Sequence, residues 1–416
     1  MDQNESMTTE HVGMLIVGGG QAGGEIAAEL RRQKYEGRVL IVGDEKFLPY
    51  KRPPLSKAYF AGSVQEENLY VMQQANLDKA QIEYRGGVAA ARIDRAGKAL
   101  HLADGRAYSY DKLALATGGR ARGLSVPGAD KSNVFALRTI ADVQKIRALC
   151  APGRRMCIVG GGFIGLEVAA VAIKLGLKVT LLEGLPRVLA RVTVPQVSEF
   201  FERMHREAGV DLRTSAQLKS FEGGAAVTHV ALGDGTQIET DVVVVGIGIL
   251  PNVELAQAAG IACDNGIVVD SATRTNDPDI VAAGDCTNHP SDFLNRRVRL
   301  ESVQNAMEQA RAAAHAMLGR EVNYQMVPWF WSDQYDLKLQ MVGISTGFDQ
   351  VIFRGDLKTQ RNFAAFYLGD GKIIAADTVS RPQEFMLAKK LVAAKAKLDP
   401  AKLADESVPL KDLVPA

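Results

Sequence analysis

Two stretches of the chain set three glycines at one fixed spacing directly after an apolar run, a pattern suited to holding a pyrophosphate. The first reads Met14-Leu15-Ile16-Val17-Gly18-Gly19-Gly20-Gln21-Ala22-Gly23, the second Cys157-Ile158-Val159-Gly160-Gly161-Gly162-Phe163-Ile164-Gly165. In G-x-G-x-x-G the first glycine (Gly18, Gly160) permits a tight turn, the second (Gly20, Gly162) lets the pyrophosphate approach the backbone, and the third (Gly23, Gly165) lets the helix pack closely. The helix N-terminus then offers unpaired N–H groups and the positive end of its dipole. An acid follows each copy: Asp44 lies 26 residues after Gly18, and Glu183 lies 23 after Gly160. Each is suited to a ribose diol. Glu183 would also repel a 2′-phosphate, favouring NADH over NADPH, although Arg187 and Arg191 follow closely. The plainer readings are glycine turns in ordinary α/β packing and a surface turn at Gly43-Asp44-Glu45. Two dinucleotides held by one chain imply that electrons pass between them.

The motifs require a strand before and a helix after. Strands are expected at 13–18, 37–42, 155–159 and 178–183. Helices are expected at 22–34, with Ile26 and Leu30 on one face, and along a stripe of Ile164, Val168, Ala172 and Leu175. The run Asp241–Gly246 is apolar on both faces, as a buried parallel strand is, and Asp279–Asp285 reads as another, ending in Gly-Asp. The helix around Ala306–Leu318 stops at Gly319. A connector, Gly123–Gly128, marks a boundary. From Trp329 the pattern alternates. Asn362–Leu368 and Lys372–Val379 flank Gly369-Asp370-Gly371 as a hairpin, and an amphipathic helix follows Pro382.

Composition narrows the partners. Among 416 residues, 49 Lys and Arg nearly cancel 48 Asp and Glu, which argues against nucleic acid and other polyanions. The longest apolar run, Val242–Leu250, is far short of the roughly 20 residues a membrane helix needs. Met1–Ser6 is polar and acidic, unlike a secretory signal, and Met7 and Met14 are alternative starts. The four cysteines form no CxxC pair and the six histidines are scattered, so neither a disulfide framework nor a metal site is expected. A reduced, cytoplasmic protein is the expectation.

Further segments carry a resemblance: Val42-Gly43-Asp44-Glu45, Arg52-Pro53-Pro54-Leu55-Ser56-Lys57, Leu115-Ala116-Thr117-Gly118, Leu137-Arg138-Thr139, Gly162-Phe163-Ile164-Gly165-Leu166-Glu167, Ala283-Gly284-Asp285-Cys286 and Pro328-Trp329-Phe330-Trp331-Ser332-Asp333-Gln334-Tyr335. With them the chain resembles FAD-dependent NADH:ferredoxin reductases of the putidaredoxin reductase and rhodocoxin reductase type, which include the reductases of ring-hydroxylating dioxygenases. The resemblance implies an α/β fold with two Rossmann-like, glutathione-reductase-like dinucleotide-binding domains and a smaller α+β C-terminal domain. Their expected bounds are 1–120 with 246–328 for FAD, 121–245 for NAD, and 329–416.

The resemblance also assigns roles. Asp44 would hold the adenosine ribose of FAD, Arg52 would lie along the cofactor, and Lys57 would sit beside the flavin ring, where an ammonium stabilises negative charge. Val88, Thr117 and Arg138 match FAD contacts. Asp285 matches the residue at the ribityl and phosphate region, and Val303 matches a backbone contact to the flavin. Gly246 and Gly248 would let NADH pass close to the backbone. Glu167, read as a first-turn residue, is either a favourable dipole partner of its helix or a group near nicotinamide and flavin. Trp331 would stand near the flavin, toward the iron–sulfur partner. Without the resemblance, Lys57 and Arg138 read as solvated, Val88 and the tryptophans as core, and Asp285 as a cap.

Cysteine placement separates the reactions open to such a scaffold. No cysteine precedes Cys150, so thiol chemistry at the flavin is excluded unless Cys286 is unexpectedly placed. The expected course is hydride from NADH to FAD, then single electrons to a two-iron two-sulfur ferredoxin that serves a terminal oxygenase. The alternatives are an NADH oxidase and an NADH-sensing flavoprotein of the apoptosis-inducing-factor type. Such ferredoxins are acidic, which makes Arg296, Arg297, Arg299, Arg311 and Lys338 candidates for a basic docking patch.

Overall fold

A computed structural model of the chain describes residues 9–414, so Met1–Ser6 and the alternative start Met7 lie outside the described residues. The fold has two compact units. One comprises the chain up to Arg52, Glu66–Arg120 and Leu250–Met326; the other comprises Pro53–Gln65, Ala121–Ile249 and the chain from Val327.

In the first unit, β1 (Glu10–Val17), α1 (Gln21–Arg32) and β2 (Val39–Val42) form a parallel βαβ unit. Ile82–Arg85 extends the sheet beyond β2, while Ala107–Leu115 pairs with the other edge of β1 and with Ile280–Ala282, all in parallel. Successive residues of β1 enter opposite faces. Met14 and Ile16 pack with Val39 and Ile41 beneath Ile26 and Leu30 of α1 and the alanines Ala306, Ala310 and Ala313 of helix Val303–Met317. Leu15 and Val17 pack with Leu40 and Val42 against Leu100 and Ile267. Both faces are covered, so β2 and the Met14–Val17 run of β1 are apolar throughout.

The second unit repeats the device with β3 (Arg155–Val159), α2 (Phe163–Lys174) and β4 (Lys178–Leu182). Its parallel sheet runs Asp211–Arg213, β4, β3, β5 (Val242–Val245), Val134–Ala136. Cys157, Val159, Leu182, Val243 and Val245 pack on Phe221, Val230 and Leu232 from a small antiparallel sheet. The expected stripe on α2 needs one correction. Val168 and Ala172 are fully buried, but Ile164 is 40% exposed. It occupies the first turn of the helix.

Helix α3 (Pro195–Glu207) follows, and from β6 (Trp329–Gln334) onward the chain forms a five-stranded antiparallel sheet with β7 (Leu337–Gly343), the edge strand Gln350–Arg354, β8 (Phe363–Gly369) and β9 (Lys372–Val379). Gly369 pairs with Lys372, leaving Asp370 and Gly371 as a two-residue turn. Both have positive φ, 54° and 72°, the geometry of a type I′ hairpin. Buried Arg354 donates to Glu384 and to the carbonyls of Leu403, Asp405 and Val408, tying the C-terminal helices to this sheet.

Asp377 on β9 is buried and accepts hydrogen bonds from Thr193 Oγ1 (2.7 Å) and Tyr367 Oη (2.5 Å), joining the loop before α3 to the C-terminal sheet. Burial pushes its carboxyl up to about 6. Between the usual carboxylate range and pH 6 the folded chain therefore keeps a proton that the unfolded chain has released. The resulting stabilisation is complete below that range and is lost as pH rises through 6. Across pH 4 to 6.5 the wild type should lose roughly 1–3 kcal/mol relative to Asp377→Asn in thermal unfolding. Parallel pH curves for the two proteins would contradict this.

Candidate cofactor and active site

The two glycine motifs build the same cradle twice. Helices Ile140–Leu149 and Val303–Met317 are capped by the side chains of Thr139 and Ser302. In contrast, α1 and α2 begin at Gly20 and Gly162 with no side-chain cap, so their first-turn N–H groups are left for a ligand. A Cβ added at Gly20 or Gly162 would meet nothing within 4 Å, whereas one at Gly23 or Gly165 would lie 1.9 Å from the carbonyl oxygen of Gly18 or Gly160. A Cβ added at Gly18 (φ 121°) would lie 2.1 Å from the carbonyl oxygen of Ala116, and one at Gly160 (φ 113°) 2.4 Å from that of Gly246. The outer glycines thus press strand, helix and crossing strand together, and the central one leaves room for a phosphate. Gln21 Oε1, in the first turn of α1, is buried without a hydrogen-bond partner. Bare N–H groups and an open cradle fit an anionic dinucleotide at each motif.

In the first unit Asp44 is exposed just past β2. Val88 is half-buried against the core and donates its N–H to Gly43 O. Thr117 Oγ1 donates to Asn252 O (2.7 Å), and Asn252 Nδ2 returns a bond to Thr117 O (3.0 Å). The turn carrying Asp285 is pinned by Gln309 Oε1, which accepts from Gly284 N–H and Thr287 Oγ1, each at 2.8 Å. Val303 opens the helix capped by Ser302. Arg52 donates to Glu45 (2.9 Å) and to Tyr50 Oη (2.8 Å), with its guanidinium 5.0 Å from the Tyr50 ring centroid. Burial disfavours its charge, yet Tyr50, Glu45 and Asp285 more than offset this and raise its pKa. Glu45, Tyr50 and Gln309 were not singled out from the sequence. The first two lie within a few residues of Asp44 and Arg52, but no spacing rule marks Gln309.

In the second unit Glu183 directly follows β4. Its Oε2 accepts from Gly161 N–H (2.6 Å) and its Oε1 from Leu185 N–H (2.8 Å), so the carboxylate is set beside the second cradle. Arg187 turns away, donating to Ser198 Oγ (2.7 Å) and Ala190 O (3.0 Å), while Arg191 is exposed. Gly246 follows β5, facing Gly160, and Gly248 has φ 101° with open space around it. Arg138 is half-buried just before the Thr139 cap.

Lys57 and Glu167 meet in this unit. The first-turn placement of Glu167 is corrected: it is the fifth residue of α2, 2% exposed, and too far along for the helix dipole to explain it. Three donors hold its carboxylate: Lys57 Nζ at 2.7 Å and Ser56 Oγ at 2.5 Å on Oε2, and Ser332 Oγ at 2.6 Å on Oε1. Neither serine was predicted, although both lie inside the RPPLSK and PWFWSDQY segments. Trp331 is half-buried in an aromatic row, its ring 5.6 Å from Trp329 and 6.3 Å from Phe330, which stands 4.6 Å from Phe163.

Of the basic-patch candidates, Arg299 pairs with Glu301, Arg311 with Glu308 and Lys338 with Asp333, so three of the five charges have an acidic partner, while Arg297 donates to the neutral acceptors Asn288 and Val269 O. Cys286 is fully buried, and burial pushes its thiol up, which removes it as a nucleophile. Among the described residues no group of His, Cys, Asp and Glu is placed to hold a metal, and no helix is long and apolar enough to cross a membrane.

The cradle geometry predicts opposite outcomes for two single-methyl insertions. Gly162→Ala should unfold within about 1 kcal/mol of wild type, the usual range for a change meeting no neighbour, while Gly165→Ala should lose at least about 2 kcal/mol to overpacking. Equal thermal midpoints would contradict the geometry.

The pyridine nucleotide-disulphide oxidoreductase family matches residues 13–310, and a reductase C-terminal family matches 329–414. Over 409 residues the chain is 46% identical to putidaredoxin reductase of Pseudomonas putida, covering 97% of each chain. It is 38% identical to the ferredoxin–NAD(+) reductase subunit of the benzene 1,2-dioxygenase system of Pseudomonas putida, over 97% of this chain and 98% of the relative. The reductase in the crystal structure of a covalent putidaredoxin reductase–putidaredoxin complex superposes with a TM-score of 0.94 at 46% identity, covering 97% of this chain and 98% of that one. Two dinucleotide-binding folds, a C-terminal antiparallel domain and similarity along nearly the whole length agree. The chain belongs to the pyridine nucleotide-disulphide oxidoreductase family, among the FAD-dependent reductases of the putidaredoxin reductase type.

Proposed function

We propose that this protein is an NADH:ferredoxin oxidoreductase that takes hydride from NADH onto FAD and passes single electrons to a two-iron two-sulfur ferredoxin serving a cytochrome-type monooxygenase or a Rieske dioxygenase. The observation that carries the reading is the pair of uncapped glycine cradles in a chain similar from end to end to putidaredoxin reductase. Bound FAD would supply the step between two-electron donor and one-electron acceptor. The chain supplies binding, orientation and charge. Residues 1–120 and 246–328 form the FAD domain, 121–245 the NAD domain and 329–416 the C-terminal domain, in a cytoplasmic protein. Gly18, Gly20, Gly23, Asp44, Arg52, Val88, Thr117, Arg138, Asp285 and Val303 hold FAD. Gly160, Gly162, Gly165, Glu183 and Gly246 hold NADH. Lys57 brings positive charge to the reacting rings, Glu167 anchors its ammonium, and Trp331 stands toward the ferredoxin. The oxidase and sensor alternatives are not favoured, since the relatives are named for ferredoxin systems.

NADH rather than NADPH is the proposed donor. Glu183 sits at the cradle with both oxygens fixed by backbone N–H groups, and Arg187, the nearer arginine, is engaged elsewhere. Glu183→Ser should narrow the NADH:NADPH ratio of kcat/KM by about tenfold, the scale of one lost charge repulsion. An unchanged ratio would place discrimination elsewhere.

The acceptor is tested by rapid mixing of NADH-reduced holoenzyme with a two-iron ferredoxin, with oxygen, or with buffer. Fast reoxidation by ferredoxin alone is expected. Oxygen turnover at a comparable rate would overturn the assignment in favour of an oxidase.

A further inference from the structure

Beyond its three direct donors, the Glu167 carboxylate terminates a longer chain of buried side chains. Ser332 Oγ, which donates to Glu167 Oε1, lies 3.2 Å from Gln334 Nε2. Gln334 Oε1 lies 2.9 Å from His205 Nε2, and His205 Nδ1 lies 3.0 Å from Tyr335 Oη. Ser332, Gln334 and His205 are 0–1% exposed, and Tyr335 is half-buried. The links come from ordinary local rules. Ser332 and Gln334 are two apart on β6 and share a strand face. His205 comes from α3, and Tyr335 sits in the turn after β6 at φ 58°.

Each inner link could run either way if isolated, because hydroxyl, amide and imidazole all donate and accept. The carboxylate removes that freedom. It offers only lone pairs, so Ser332 must donate to it and is left to accept from the Gln334 amide N–H. Gln334 Oε1 must then accept from His205 Nε2–H, and the bare His205 Nδ1 must accept from Tyr335 Oη–H. Burial keeps His205 neutral, its pKa lowered to about 4, so the one-way order persists at neutral pH.

We propose that Ser332, Gln334, His205 and Tyr335 are positioning residues for flavin reduction: a one-way hydrogen-bond relay that locks Glu167 as the acceptor partner of Lys57. The proposal rests on the reading that Lys57 and Glu167 serve the hydride step. A relay that holds an ionised carboxylate by donation orients it more firmly than a lone hydroxyl, because each bond polarises the next.

Gln334→Glu tests the direction with almost no change of shape. A carboxylate at 334 draws the Ser332 hydroxyl to itself and away from Glu167. In anaerobic rapid mixing of FAD-loaded enzyme with NADH, Gln334→Glu and Ser332→Ala should each lower the limiting rate of flavin bleaching by about tenfold, the scale of one hydrogen bond to a charged group, with little change in the NADH dissociation constant. Tyr335→Phe keeps the ring and removes the outermost donor, the one to His205 Nδ1, and should lower the rate about threefold. Sitting at the half-buried end, it carries the test if a buried variant fails to fold. Wild-type rates in every relay variant that folds, with a slow Glu167→Gln, would overturn the relay and leave Glu167 in place. A Glu167→Gln enzyme bleaching at the wild-type rate would overturn the underlying reading and the relay with it.

Discussion

A carboxylate removed from water is the constraint on which the second unit turns. An uncompensated buried charge is costly, and breaking a buried pair typically costs about 3–5 kcal/mol. Glu167, on helix α2, is kept by an ammonium and two hydroxyls from segments distant in sequence, the turn at Pro53–Lys57 and strand β6. Those three segments must therefore be fixed to one another within a few tenths of an ångström. The clustering of Pro53–Gln65 with the second unit, apart from the residues on either side of it, is the same fact at larger scale. The resulting precision is what an electrostatic role in hydride transfer requires, since preorganised charge acts without reorganising during the reaction.

A different economy governs the dinucleotide cradles. There the chain withholds side chains instead of converging them. Close packing of Gly23 on Gly18 and of Gly165 on Gly160 brings helix and strand near enough for the helix N-terminus to face a phosphate, and the absent cap leaves its donors for the ligand. The C-terminal sheet adds β6, which carries both a donor to Glu167 and the Trp331 row.

Much of this was legible in the sequence because it follows from local rules. The two motifs, the flanking strands, the buried runs expected at 241–246 and 279–285 and the Asp370-Gly371 hairpin depend on periodicity and turn chemistry, and the structure forms each of them with ends shifted by up to three residues. The family resemblance was recoverable from RPPLSK and PWFWSDQY because those segments are unusual in composition. What escaped was the convergence of distant polar groups. Ser56, Ser332, His205 and Gln309 are ordinary residues whose meaning arises only when other segments fold against them, and no spacing announces that. The misplacement of Glu167 has the same origin: helix α2 begins at Phe163, so Glu167 falls beyond its first turn.

The central claim is that Lys57 and Glu167 act as one charge-paired unit on flavin reduction. It is tested most directly by a double-mutant cycle on the limiting rate of flavin bleaching by NADH, using Lys57→Met, Glu167→Gln and the pair. Groups acting as a unit are non-additive. The account predicts a double variant no slower than the slower single variant, whereas rate losses that simply multiply would show two independent residues and contradict it.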